Sequence, residues 1–263
     1  MHVDIAFTPC PNDTFVFHAL VHGLIDTSPL VFTPVMRDVE ALNRDAFHSR
    51  YGVTKLSVHA VLKLDDRYEI LSSGAAIGRG CGPLVVSCKP GIRLDEARIA
   101  VPGGHTTAAL LLKLWNPGLR TVAVLRYDEI LPAVAGGAFD AGLIIHESRF
   151  VYPEYGCEQV VDLGRWWEDE TGLPVPLGCM AVRRDLSGSK GRIEELVRES
   201  IRHAQADPCA TMEYVRSHAQ ETRQDVIDSH ISLYVNEYSI DMGEEGRRAI
   251  EVLRDRARLK GVL

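Results

Sequence analysis

The 263-residue chain lacks a long apolar run, a C-x-x-C pair and an excess of positive charge, and each absence excludes a class of protein. No stretch approaches the ~20 apolar residues with which a helix crosses a bilayer. The opening Met-His-Val-Asp-Ile-Ala-Phe has neither a basic n-region nor an extended apolar h-region. No secretory signal is therefore expected, and a cytoplasmic location is. Lys and Arg number 29 against 36 Asp and Glu, a formal charge of -7. Neither a nucleic acid nor an anionic membrane finds there the broad basic surface it needs. A small pocket for an anionic ligand is compatible with this balance, because a few local donors outweigh a weak global field. The six cysteines (Cys10, Cys81, Cys88, Cys157, Cys179 and Cys209) form no dense framework, so reduced thiols are expected rather than disulfides.

Several catalytic signatures are missing too. His18 and His22 share a helical face at i, i+4 spacing, but no H-E-x-x-H accompanies them, and His146-Glu147 runs on into Ser148-Arg149-Phe150. No metal site is expected. Gly78-Arg79-Gly80-Cys81-Gly82 has neither the Gly-Lys-Ser/Thr ending of a phosphate loop nor G-x-G-x-x-G spacing, and reads as a flexible strand connection. No G-x-S-x-G elbow occurs.

What the chain does have is globular composition, 46% hydrophobic and 25% charged, with short β-rich runs alternating with amphipathic stretches. Val3–Phe7, Val53–Lys55, Glu69–Ser72, Leu84–Cys88, Arg98–Val101, Thr121–Leu125, Ala141–Ile145, Gln159–Leu163 and Gly178–Arg183 read as strands. Helices are expected from Pro11 to Gly23, over Asp38–Ser49, from Ser57 through Leu64, over Thr107–Trp115 and Asp128–Ala135, and through most of the chain after Asp185. Asn12, Asp13 or Thr14 would cap the first of these helices. The alternation predicts α/β architecture with largely parallel sheets. Pro90-Gly91 and Pro174 to Gly178 mark two crossings. They divide the chain into a discontinuous lobe, residues 1–89 plus 179–263, and an inserted lobe, 90–178.

Three loops follow strands and open helices, where open α/β sheets bind ligands and where backbone N–H groups and the helix dipole favour an anion. They are Thr8–Thr14, Thr54-Lys55-Leu56-Ser57 and Gly103-Gly104-His105-Thr106-Thr107-Ala108. The second either binds an anion through Lys55 and Ser57 or is an ordinary Ser57 cap beside a solvated Lys55. The third either lets a ligand approach its glycines and hydroxyls or is a turn with a threonine cap. His146 ends the apolar run Ala-Gly-Leu-Ile-Ile and is followed by Glu147. It is either an acid/base at the sheet edge or a histidine that bonds a carbonyl. Cys10, between two prolines, reads as an inert thiol in a rigid loop, Trp166-Trp167 as packing between helix and sheet, and the charges of Arg247–Arg258 as a solvated face.

Taken together, Pro9-Cys10-Pro11-Asn12-Asp13-Thr14-Phe15, Thr54-Lys55-Leu56-Ser57, His105-Thr106-Thr107 and Gly142-Leu143-Ile144-Ile145-His146-Glu147 resemble the 1,4-dihydroxy-6-naphthoate synthase family of the futalosine route to menaquinone. The likeness extends over nearly the whole chain, including Gly-Pro-Leu-Val-Val at 82–86 and the Val-Asp-Leu-Gly-x-Trp-Trp run ending at Trp167. It implies a two-lobed type II periplasmic-binding-protein-like fold with a central cleft. It also implies a lyase that converts cyclic dehypoxanthinyl futalosine to 1,4-dihydroxy-6-naphthoate, acting on a small anionic substrate without metal, nucleotide or flavin. His146 matches the family's base, and Lys55, Leu56, Ser57, Thr106, Thr107 and Ala108 match its substrate contacts, with Ser57 and Thr107 offering hydroxyl and N–H donors to a carboxylate. Two other readings of the same fold are chorismate dehydratase of that pathway and a small-anion binding protein without chemistry.

Overall fold

A computed structural model describes residues 1–119 and 121–263. The chain begins with strand β1 (His2–Phe7), helix α1 (Pro11–Val21), β2 (Val31–Met36), α2 (Val39–Ala46), β3 (Val53–Ser57), α3 (Val58–Val61), β4 (Tyr68–Ile70) and β5 (Ala76–Gly78). It continues through β6 (Leu84–Ser87), β7 (Arg98–Val101), α4 (Thr107–Trp115), β8 (Thr121–Val124), α5 (Tyr127–Ala135), β9 (Ala141–Ile144), α6 (Ser148–Val151), β10 (Glu158–Asp162) and α7 (Leu163–Thr171). Strand β11 (Val175–Arg183) is followed by the helices α8 (Lys190–Ala206), α9 (Pro208–His218), α10 (Gln224–Tyr234), α11 (Glu237–Ile240) and α12 (Gly243–Leu259). Among the described residues, no helix is long and apolar enough to cross a membrane.

The strands form two sheets. The first has the order β2-β1-β3-β11-β4, with β5 also paired to β11; the second runs β10-β6-β9-β7-β8. Sequence reading expects largely parallel sheets, but both are mixed. Strand β11 lies antiparallel to β3, β4 and β5, and β6 lies antiparallel to β9 and β10. The cause is connectivity. A parallel neighbour requires a long crossover, whereas a strand that enters directly from the other sheet can run antiparallel. The crossings also sit elsewhere than 89/90 and 178/179. Leu84–Ser87 already pairs within the second sheet, and Val175–Gly178 already pairs with β5 in the first. Strand β2 escapes sequence reading because it is a largely exposed edge carrying Pro34, a residue that edge positions tolerate.

Each sheet buries its own apolar layer. Val3, Ile5, Phe7, Phe17 and Leu20 pack against Ile193, Leu196, Val197 and Ile201 of α8, while Leu84, Val86, Ala100 and Ile144 pack against Ile130, Leu131 and Val134 of α5. A third cluster joins the two halves through Leu56, Ile77, Val85, Ile99, Leu110 and Trp167. Trp167 is fully buried and donates its indole N–H to the Pro174 carbonyl at 3.0 Å, the packing role its sequence context suggests. Cys88 and Cys157 correct another expectation. They are joined in a disulfide, because the antiparallel pairing that sets Ser87 opposite Glu158 brings their flanking residues together from 69 positions apart.

The entry into the second sheet depends on two glycines. A Cβ on Gly82 would collide with the backbone of Gly164 at the start of α7. Gly82→Ala therefore forces backbone to move rather than a flexible side chain, and we expect it to lower unfolding stability by about 1–3 kcal/mol. Urea denaturation that finds the variant as stable as wild type would remove this close approach as a constraint.

Candidate active site

Residues at the carboxyl ends of β1, β3, β7 and β9 meet in one cleft between the sheets, the location expected for ligands in α/β folds; Thr54–Ser57, expected as a loop, lies within β3 itself. The cleft encloses about 80 Å³. Its lining includes Lys55, Leu56, Ser57, Thr106, Thr107, Ala108 and His146, so all seven residues selected from the sequence are brought together. Thr8, Asn12, Asp13, Val39, Ile145 and Tyr234 line it as well.

Lys55 is not solvated. It is buried on β3, donating from Nζ to Asp13 Oδ1 at 2.7 Å and to the Gly74 carbonyl at 3.3 Å. Asp13, which sequence reading treats as a cap candidate, sits in the first turn of α1 instead, and Cys10 occupies the N-cap position with no side-chain cap. The Asp13 carboxylate accepts from the Thr8 N–H at 3.1 Å, the Thr8 hydroxyl at 2.8 Å and Asn12 Nδ2 at 2.9 Å. A buried ion pair persists only when further hydrogen bonds satisfy its members, and these donors supply them.

Ser57 does not cap α3 with its side chain. Asn43 of α2 clamps it from both sides. The Ser57 N–H donates to Asn43 Oδ1 at 2.9 Å, and Asn43 Nδ2 donates to Ser57 Oγ at 3.0 Å. The Ser57 backbone donor is thus spent, while its hydroxyl proton has no acceptor among the described residues and can serve a ligand.

Thr106 caps α4. Its hydroxyl accepts from the Ala109 N–H at 3.2 Å and donates to the Gly103 carbonyl at 2.8 Å. Thr107 contradicts the expectation of a hydroxyl donor. Its single hydroxyl proton goes to the Leu177 carbonyl at 2.6 Å, and the oxygen accepts from the His59 N–H at 3.2 Å. The donors left at this helix start are backbone. The first N–H groups of a helix have no acceptor within it, and no protein acceptor takes those of Thr107 or Ala108 among the described residues. Behind the loop, Glu40 accepts from the His105 N–H at 3.1 Å and fills the space a side chain at Gly103 would need.

His146 follows β9 with φ 55°, a left-handed backbone that costs a non-glycine residue energy. Tyr127 meets the imidazole edge-on with centroids 4.9 Å apart, and His230 of α10 stacks on it at 6.1 Å. His230 Nε2 is in turn 3.0 Å from Asn12 Oδ1. His146 Nε2 is buried and has no hydrogen-bond partner among the described residues. Burial pushes the imidazole down to about 4, against the opposing pull of the Asp13 carboxylate and with the help of the Lys55 cation. At neutral pH His146 is therefore an unprotonated base. Among the described residues, no backbone carbonyl bonds His146 Nε2.

Cys10, His146 and Glu147 bring one donor atom each to within 4.8 Å of one another. Burial, followed by the nearby Glu147, pushes the Cys10 thiol well above its ordinary value. Burial also pushes Glu147 up to about 7. Cys10 is accordingly held as a protonated thiol near His146. His18 and His22 sit apart from it, packed with Tyr214.

Asn43, Tyr127 and His230 were not selected from the sequence. Asn43 lies within a predicted helix, and His230 lies more than two hundred residues from its partner Asn12, so neither had a local pattern to announce it.

A family model described as menaquinone biosynthesis matches residues 3–259. A Thermus thermophilus protein named 1,4-dihydroxy-6-naphthoate synthase is 53% identical over 98% of this chain and 94% of its own length. A Streptomyces coelicolor protein of the same name is 42% identical over 99% of this chain and 94% of its own length. In fold, the alkanesulfonate-binding protein SsuA of Xanthomonas axonopodis pv. citri superposes with a TM-score of 0.72 at 13% identity, covering 100% of this chain and 94% of that one. The architecture is thus that of the periplasmic binding proteins, and the chain belongs to the menaquinone biosynthesis family.

Proposed function

We propose that this protein is a cytoplasmic 1,4-dihydroxy-6-naphthoate synthase, a lyase that converts cyclic dehypoxanthinyl futalosine to 1,4-dihydroxy-6-naphthoate, with His146 as the base. One observation carries the reading: an imidazole kept neutral by burial stands at the end of β9, in the same cleft as the unspent N–H groups that begin α4. The names of the two relatives and the family's biosynthetic role support it.

The mechanism follows from these positions. The substrate carboxylate is held by the N–H groups of Thr107 and Ala108 and by the Ser57 hydroxyl, at the positive end of a nine-residue helix. Lys55 contributes electrostatically from its ion pair with Asp13. Neutral His146 removes a proton beside a carbonyl, and negative charge develops on the carbonyl oxygen as an enolate. Collapse of that charge expels the sugar-derived fragment, and the naphthoate ring gains aromatic stability as the fragment departs. The apolar enclosure excludes water from the carbanionic stage.

Purified protein incubated with cyclic dehypoxanthinyl futalosine should yield naphthoate absorbance, and chorismate should be left unchanged. Turnover of chorismate, or binding of either compound without turnover, would overturn the reading.

An enclosed volume of about 80 Å³ is smaller than the roughly 300–1,000 Å³ of ordinary ligand pockets. Substrate entry consequently requires the two halves of the cleft to part. Small-angle scattering should show a larger radius of gyration for the free enzyme under turnover-competent conditions than for the enzyme saturated with product. Identical curves would show that the cleft does not move as a hinge.

A further inference from the structure

We propose that Glu147 is the positioning residue of His146, a buried carboxyl group that balances the charge of the imidazolium formed when His146 takes the substrate proton. The inference rests on the reading of His146 as base and adds a second proton-handling group to it.

The observations are geometric first. Glu147 is 4% exposed, and both its carboxyl oxygens are buried with no hydrogen-bond partner among the described residues. An orphaned buried carboxyl costs stability, since desolvation is not offset by a donor, and such a group calls for an explanation. Glu147 does not line the cleft itself, but one of its oxygens lies within 4.8 Å of a ring nitrogen of His146. The left-handed backbone of His146 makes this arrangement. It turns the chain sharply after β9, so that consecutive side chains end in one enclosure rather than on opposite faces of a continuing strand. Strain and an unpaired acid thus occur at neighbouring positions beside the base.

The chemistry gives both a use. When the substrate C–H bond breaks, its electron pair stays on the substrate and its proton forms an N–H bond on His146. The resulting imidazolium sits in an apolar site that disfavours charge, as the lowered affinity of His146 for protons already shows. A carboxylate at this distance makes the new cation and the existing anion a neutral pair, the arrangement by which a base is oriented and its charged form stabilised. Return of the proton to the departing fragment restores both groups.

The groups facing Glu147 are Cys10 at the start of α1, Tyr127 and Asp128 on α5, Glu221 in the segment between α9 and α10, and Tyr234 on α10. Burial holds Cys10, Tyr127 and Tyr234 in their neutral forms well above neutral pH. Asp128 and Glu221 are anionic and disfavour ionisation of Glu147. The carboxyl therefore ionises near neutrality, where burial places it at about 7. Turnover should rise as pH increases through that value, because the carboxylate is the form that stabilises the imidazolium.

Glu147→Gln tests this with cyclic dehypoxanthinyl futalosine as substrate. We expect kcat to fall about 100-fold with KM within about threefold, and the rise in kcat near pH 7 to disappear. Glu147→Asp should restore part of kcat together with the pH dependence. The double variant His146→Asn/Glu147→Gln should be no slower than His146→Asn alone, since Glu147 acts through the imidazole. If the amide is not tolerated, Glu147→Met removes the charge without leaving a buried polar group unpaired, and the same results are expected of it. Unchanged kcat and an unchanged pH profile in Glu147→Gln or Glu147→Met, with His146→Asn inactive, would overturn the role of Glu147 and leave the base assignment standing. Full activity of His146→Asn would instead overturn the base assignment, and this inference with it.

Discussion

Replacing His146 with Asn lowers kcat by about 10³-fold and leaves substrate affinity within about tenfold, on the reading that the imidazole takes a proton in the transition state and contributes little to ground-state binding. Asparagine is the informative choice. Position 146 has φ 55°, and asparagine adopts left-handed backbone more readily than most residues. A drop in activity then reports lost chemistry rather than a refolded loop. The amide cannot act as a base, while the carboxylate anchors at Ser57, Thr107 and Ala108 lie on other elements and stay in place. Turnover is read from naphthoate absorbance and affinity by isothermal titration calorimetry with the inactive variant. Wild-type kcat in His146→Asn would exclude the residue as base.

Replacing Lys55 with Met costs about 3–5 kcal/mol of unfolding stability, the range for removing one member of a buried ion pair. Lys55 and Asp13 are both buried, and the 2.7 Å contact joins β3 to the first turn of α1. Without the ammonium, the Asp13 carboxylate keeps the donors from Thr8 and Asn12 but loses its countercharge. The Lys55→Met/Asp13→Leu double variant removes both charges and should recover part of the loss. Urea denaturation with an unchanged m-value is the measurement. A loss below about 1 kcal/mol in the single variant would show the pair to be no stronger than an exposed one. The substitution also reaches the chemistry. Lys55 lowers the proton affinity of His146 and Asp13 raises it, so loss of Lys55 alone moves the titration of His146 upward.

The two halves of the site were legible to different degrees. Strand β7 and helix α4 have the bounds expected from sequence, since an apolar strand, a glycine turn and a threonine cap are local signals. The loops after β1 and β7, with His146 after β9, were identified for the same reason: each joins a strand end to a helix start, whereas Thr54–Ser57, read as a loop, is the end of β3 itself. The states of their side chains were not legible. Lys55 reads as solvated when taken with its neighbours alone, and its partner Asp13 stands 42 positions away. The Thr107 hydroxyl reads as a free donor until the Leu177 carbonyl, 70 positions on, accepts its proton. The disulfide between Cys88 and Cys157 was hidden by the same kind of separation.

Residue order by itself determined the alternation of strand and helix, the polar loops at strand ends and the apolar run that terminates in His146, because these depend on periodicity and capping over a few residues. Only tertiary structure decided the antiparallel return of β11, the neutral state of His146 and the unpaired carboxyl of Glu147. Burial and pairing are properties of what distant segments place around a group. An ionisable side chain acquires its charge state from that enclosure and not from its neighbours in the chain.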